Sequence, residues 1–148
     1  MSQSETATLA YWSEHRDQFR QSETQRAMLT NYLLAVAAAL SALIVQQKFA
    51  AYTLPLSVLI AVMGLYGALA TAKYHERAEY HLQQARALTE ILVDSGALTD
   101  DAKLNEARDK HYKRYPKMHR FRLHKLWTGL HFGIAAYGLA LIITTVTR

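Results

Sequence analysis

An all-α membrane protein is the fold class this sequence predicts, with three transmembrane helices, two of which continue into a cytoplasmic helical bundle. Three observations predict it. Uncharged stretches long enough to cross a bilayer occur at Ala27–Gln47, Phe49–Ala72 and Leu126–Thr147 in a chain of 148 residues. A helical repeat of apolar positions continues beyond two of them, and the cations gather on one side of the spans. A crossing needs about 20 apolar residues at about 1.5 Å each, and a soluble domain this small has too few other residues to bury three such helices.

Residues 6–26 read as a cytoplasmic amphipathic helix. No Gly or Pro interrupts Thr6–Gln47, so this segment and the first span (27–47) are expected to form one rod of roughly 60 Å. Leu9, Trp12, Arg16 and Phe19, with Tyr11 beside them, follow steps of three and four residues and give the rod one apolar face. Leu9, Trp12 and Phe19 are therefore candidate packing residues. A mostly polar stretch of 26 residues precedes the first span without a short apolar core and cleavage site, so that span is expected to stay in the mature protein.

A turn at Gln47–Thr53 leads to the second span (53–72), with Pro55 suited to a first helical turn. The helix is expected to run on unbroken to Asp94, because Tyr74, Ala78, Leu82, Ala85, Leu88 and Leu92 keep the period, and to stop at Ser95-Gly96. The cytoplasmic region 73–125 then holds a short helix capped by Thr99 with Asp100 and Asp101, ended or kinked by Pro116. A fourth helix is expected from about Lys117 into the last span (126–147), with Trp127 at the interface. The stripes on Leu9–Phe19 and Tyr74–Leu92 face each other in this reading, and the chain is one domain.

Orientation follows from charge. Of the 17 Lys and Arg, all but Lys48 and Arg148 fall before the first span or between Lys73 and Lys125, as do all 12 acids. The positive-inside rule puts the N-terminus in the cytoplasm and the C-terminus outside, which predicts a multi-pass protein of a bacterial inner membrane.

Chemistry is sparse. There is no Cys, which excludes disulfides and thiolate metal sites, and no Asp, Glu, Lys or Arg inside a span, which disfavours a secondary transporter. His75 and His81 lie on different helix faces, and His111, His119 and His124 sit among cations, so neither a metal nor another cofactor is expected. His131 is expected to reach the interface or a neighbouring carbonyl. With no activated nucleophile, phosphate loop or paired carboxylates, the chain reads as no enzyme. Asn31, Ser41 and Thr144 are candidate pore-lining residues if several copies form a ring. Gly129 and Gly133, extended by Ala136 and Ala140, and Ala35/Ala39 with Ala38/Ala42, form small-residue faces for packing within the chain or between copies.

Outside the spans, Lys110, Lys113, Arg114, Lys117, Arg120, Arg122 and Lys125 occur without one acid, interleaved with Tyr112, Tyr115 and Phe121. This run suits anionic lipids, each cation near a surface contributing about 1 kcal/mol. A nucleotide ligand or a cytoplasmic protein is the alternative partner, and nucleic acid is disfavoured.

An N-terminal helix carrying Tyr11-Trp12 and Arg16, a tight membrane hairpin at Ala27–Ala72 and a cytoplasmic helix with Tyr74-His75-Glu76-Arg77-Ala78 resemble bacterial SLATT-type membrane proteins over residues 8–95. The chain is similar also to small oligomeric inner-membrane proteins of the RipA kind. The resemblance implies a pore-forming effector of a nucleotide-signal defence system, while the third span departs from the usual two. Taken together, the sequence predicts a homo-oligomeric, non-enzymatic pore or channel-like assembly under cytoplasmic control. The alternative is a scaffold that organises lipids or partner proteins through the basic run.

Overall fold

The computed structural model describes residues 2–98, 101–120 and 122–147. Its helices are α1 (Gln3–Gln46), α2 (Leu54–Asp94), α3 (Asp101–Arg114), α4 (Pro116–Arg120) and α5 (Leu123–Thr147), with a 3-10 turn at Ala51–Thr53 before α2. No strand occurs among the described residues. Helices α1, α2 and α5 are each long and apolar enough to cross a membrane.

Helix α1 starts three residues earlier than the sequence reading has it, because Ser2 and Glu5 form a capping box. The Glu5 amide donates to Ser2 Oγ at 3.2 Å while the Ser2 amide donates to Glu5 Oε2 at 2.8 Å. At its other end, the Lys48 amide bonds to Val45 O (2.9 Å) and the Phe49 amide to Ile44 O (3.0 Å), the two bonds of a Schellman cap. Lys48 (φ 51°) and Phe49 (φ 60°) occupy the left-handed region without being glycine. What offsets that cost is Phe49, which packs against the core of Ala37, Ile44, Ile60, Ile134 and Leu141.

Helix α2 runs unbroken to Asp94 and stops where the sequence indicates. Gly96 has φ 75°, and the Gly96 amide bonds to Val93 O at 2.9 Å. The expected Thr99–Asp100 cap lies outside the described residues. Pro116 separates α3 from α4, as its missing amide requires. The expected continuous helix from Lys117 into the last apolar segment is corrected: α4 ends at Arg120 and α5 begins at Leu123. A single helix here would stack Arg122 on Lys125 at a spacing of three, in addition to the Lys117–Arg120 pair that α4 already holds, with no acid to relieve them.

The chain forms two compact units: residues 1–22 with 76–122, and residues 23–75 with 123–148. In the first, the Trp12 indole donates to Thr89 Oγ1 at 3.0 Å, His15 meets His81, and Arg77 donates to Gln18 Oε1 at 3.1 Å. Ala78 and Ala85 are buried on α2, and the three pairs just named join α1 to α2 within this unit. Every described side chain of α3 is exposed.

The second unit packs the apolar parts of α1, α2 and α5 through glycine. A Cβ on Gly64 would lie 2.3 Å from the Ala135 backbone nitrogen, and one on Gly138 would lie 2.4 Å from that of Ala61. Backbones this close exclude any side chain, and the contact area gained is what drives association where lipid removes the hydrophobic advantage. Gly129 and Gly133, by contrast, have nothing within 4 Å of an added Cβ. The within-chain role expected of that pair is thus taken by Gly64, Gly67 and Gly138.

Two outcomes follow. Lys48→Gly should stabilise the chain by about 1 kcal/mol by removing left-handed strain, read as a higher unfolding midpoint in detergent. Gly138→Leu should lower that midpoint sharply, by roughly 3 kcal/mol or more, because backbone rather than a movable side chain stands in the way.

Candidate functional site

Three helix faces in the second unit bring its polar side chains together. On α1 they are Glu23, Arg26 and Thr30; on α2, Thr71 and His75, in line with Gly67; on α5, His124, Trp127 and His131. Each set follows helical steps of three or four, so each presents one face. The pairing between faces is direct.

Arg26 is only 3% exposed. Its guanidinium Nη2 donates to Glu23 Oε2 one turn earlier, and its Cζ lies 5.6 Å from the centre of the Trp127 ring. A buried cation is costly unless paired, and here a carboxylate and an aromatic face compensate it. One turn on, the Thr30 hydroxyl lies 3.0 Å from Arg26 O and 3.0 Å from His131 Nε2. If the hydroxyl proton goes to the carbonyl, as helical Thr usually arranges, then His131 donates through Nε2–H and its Nδ1 is left as an acceptor. That Nδ1 is buried without a partner, and it points at Gly67, where a Cβ would lie 2.2 Å away.

Within this cluster three further buried atoms have no partner among the described residues: Arg26 Nε, Trp127 Nε1 and, one turn beyond Gly67, Thr71 Oγ1. At the end of this row His75 and His124 stack at 3.9 Å with an interplanar angle of 11°. The cluster therefore ties three helices by one inter-helix hydrogen bond and two ring contacts, and keeps spare hydrogen-bonding capacity inside. Its chemistry is that of a polar joint.

His131 is fully buried, which corrects the expectation that it reaches the interface or a carbonyl; its partner is a hydroxyl on α1. The Arg26–Trp127 and Thr30–His131 pairs were not singled out by sequence reasoning. The available signal was the spacing Arg26-x-x-x-Thr30 against Trp127-x-x-x-His131, opposite the small residues Gly64, Gly67 and Ala68.

The other sequence candidates fall elsewhere. Asn31 is exposed, Ser41 donates to Ala37 O at 2.6 Å, and Thr144 donates to Ala140 O at 2.8 Å, so both hydroxyl protons are used within their own helices. Trp12 is paired with Thr89, and Phe19 lies half-buried under the Arg16 guanidinium at 5.7 Å. Leu9 is 44% exposed and lines an apolar groove of about 420 Å³ with Trp12, Leu92, Leu98 and Leu104. Lys110, Lys113, Arg114, Lys117, Arg122 and Lys125 are exposed, and Arg114 lies 5.7 Å over the Tyr115 ring. The Arg120 side chain and Phe121 lie outside the described residues. Among the described residues no group of three or more metal-ligating side chains converges.

Comparison with known proteins finds no matching family, no matching curated protein and no matching solved structure.

The joint makes a quantitative claim. In a double-mutant cycle, Thr30→Val and His131→Phe should show a coupling of about 1 kcal/mol in detergent or bicelle unfolding, within the range of hydrogen bonds between membrane helices. Thr30→Ser should retain most of it. Additive single effects would show that the two side chains do not cooperate.

Proposed function

We propose that this chain is a non-enzymatic protein of a bacterial inner membrane that assembles from copies of itself into a pore or channel-like complex with a cytoplasmic trigger. One observation carries the reading. The small-residue faces of α1 (Ala35, Ala38, Ala39, Ala42) and of α5 (Gly129, Gly133, Ala136, Ala140) are all exposed, while the close approaches inside the chain are made by Gly64, Gly67 and Gly138.

Two distinct open faces on two helices fit a heterologous contact, in which α1 of one copy meets α5 of the next. Such a contact repeated around an axis closes a ring. Small residues suit close helix packing in lipid, where backbone approach rather than water exclusion supplies the energy. The outward Asn31 amide adds a group that gains from a neighbour or a wet lumen over acyl chains. The resemblance to SLATT-type and RipA-like proteins points the same way.

A second reading is a scaffold for anionic lipids or protein partners. It is supported by the exposed cations Lys110, Lys113, Arg114, Lys117, Arg122 and Lys125, which are accompanied by the His111, Tyr112 and Tyr115 rings. Both readings place the three apolar helices in the bilayer with the N-terminus inside.

The mass of the nanodisc complex, with a protomer of 16.8 kDa, separates the readings when combined with ion flux from liposomes. The pore reading expects about six or more copies and a flux that rises with oligomer content. Gly133→Leu should dissociate the complex and abolish flux while leaving the unfolding midpoint of the single chain within about 0.5 kcal/mol, since a side chain there meets nothing in its own chain. A monomer or dimer without flux would sink the pore and leave the scaffold.

A further inference from the structure

In the first unit, His15 on α1 and His81 on α2 approach through Nδ1 atoms 3.0 Å apart, with ring centres separated by 5.2 Å. Tyr80 stands edge-on to both rings. We infer that this histidine pair is an acid-sensitive clasp, which holds α1 against α2 in this unit while the two rings share one proton between their facing nitrogens and releases them when both nitrogens are protonated.

The chemistry is a matter of counting protons. A contact of 3.0 Å between two imidazole nitrogens is an N–H···N hydrogen bond, so one nitrogen carries the proton and the other offers its lone pair. A second proton at the acceptor leaves two N–H donors facing each other and two positive rings in contact. The bond is then lost and replaced by repulsion.

The surroundings favour the singly protonated arrangement. From α2, the Arg77 guanidinium adds positive charge beside His81; from α1, the Glu14 carboxylate opposes it. These two are linked through Gln18, which accepts from Arg77 at 3.1 Å and donates to Glu14 at 2.9 Å. Partial burial of the His81 ring, then the His15 ring, then Arg77 hold the His81 pKa below its ordinary value of 6.5, and Glu14 raises it only in part. The sign follows. The unfolded chain binds this proton more readily, so the clasp's contribution to stability is fully present above about pH 6.5 and is lost as pH falls through the lower folded value.

The pair is no metal site of the usual kind. Two imidazoles supply fewer ligands than a tetrahedral site requires, and no third ligand converges with them among the described residues. Nor does the inference rest on the oligomeric reading, because every group named lies in one unit of one chain.

Hydrogen exchange of the full chain in nanodiscs, corrected for intrinsic rates, tests it at pH 8 and pH 5. Protection across residues 8–20 and 76–92 should fall by about tenfold or more at pH 5, while that of residues 27–47 stays constant. His15→Gln with His81→Gln keeps hydrogen-bonding groups without a titrating ring and should cut the change to less than about twofold. Equal protection of the wild-type chain at both pH values, or the same loss in the double variant, would overturn the clasp. Should the double variant fail to fold, ring-carbon NMR of the wild-type chain decides: the His81 ring is expected to titrate below 6.5, and a His81 ring that titrates at 6.5 refutes it.

Discussion

Backbone contact at glycine is the constraint on which the second unit depends. Gly64 against Ala135 and Gly138 against Ala61 bring α2 and α5 together at distances that leave no room for a methyl group. Gly67 leaves the space that the His131 ring fills, and Leu33 of α1 closes over the same glycine. With the three helices drawn in so tightly, Thr30 and His131 come within hydrogen-bond reach, and the Arg26 guanidinium can lie over the Trp127 ring. Larger residues at the glycines would push the helices apart, and the polar groups would face one another across a gap. Packing thus comes first in the causal order, and the polar joint is its result.

The energetic logic differs between the two units. In the second, apolar burial adds little when the outer faces meet lipid, so dispersion contacts and the few polar pairs decide which faces turn inward. In the first, the cross-helix links are mostly polar: an indole to a hydroxyl, an imidazole to an imidazole, a guanidinium to an amide. Such links exchange with water at small net gain, about 1 kcal/mol each. The unit held by them is the one whose helices can part at modest cost.

Much of the fold was legible in the sequence. The apolar stretches, the uninterrupted run to Asp94 and the Gly96 stop depend on local composition and on a glycine with φ 75°, features written into neighbouring residues. The capping box at Ser2 and Glu5 was also written there and passed over. The break between Arg120 and Leu123 was harder to read, because apolar content on one side and helix-tolerant Lys and Arg on the other both allow a continuous helix, and only charge crowding argues against it. The joint was the least legible part. His131 and Thr30 are 101 residues apart, and periodicity shows that each lies on some face without showing which faces meet. The same ambiguity made Gly129 and Gly133, with their familiar spacing, stand out over Gly64, Gly67 and Gly138, whose partners come from another helix.

The turn between α1 and α2 has a bearing on synthesis. Its hydrogen bonds link residues three to five apart: Ile44 with Phe49, Val45 with Lys48, Gln47 with Ala50, Ala50 with Thr53. These bonds form within the turn itself, so the α1–α2 hairpin closes while the ribosome is still making the rest of the chain, and the packing of Phe49 against Ile134 and Leu141 is added only when α5 arrives. The seat for α5 then stands vacant for some fifty residues of translation, with Gly64, Gly67 and Thr30 unoccupied. During that interval the nascent hairpin offers the same seat to the last helix of any neighbouring chain as to its own. Exchange of α5 between copies is the characteristic misassembly of such a design, and the rate of elongation through residues 73–122 sets how long it is exposed to it.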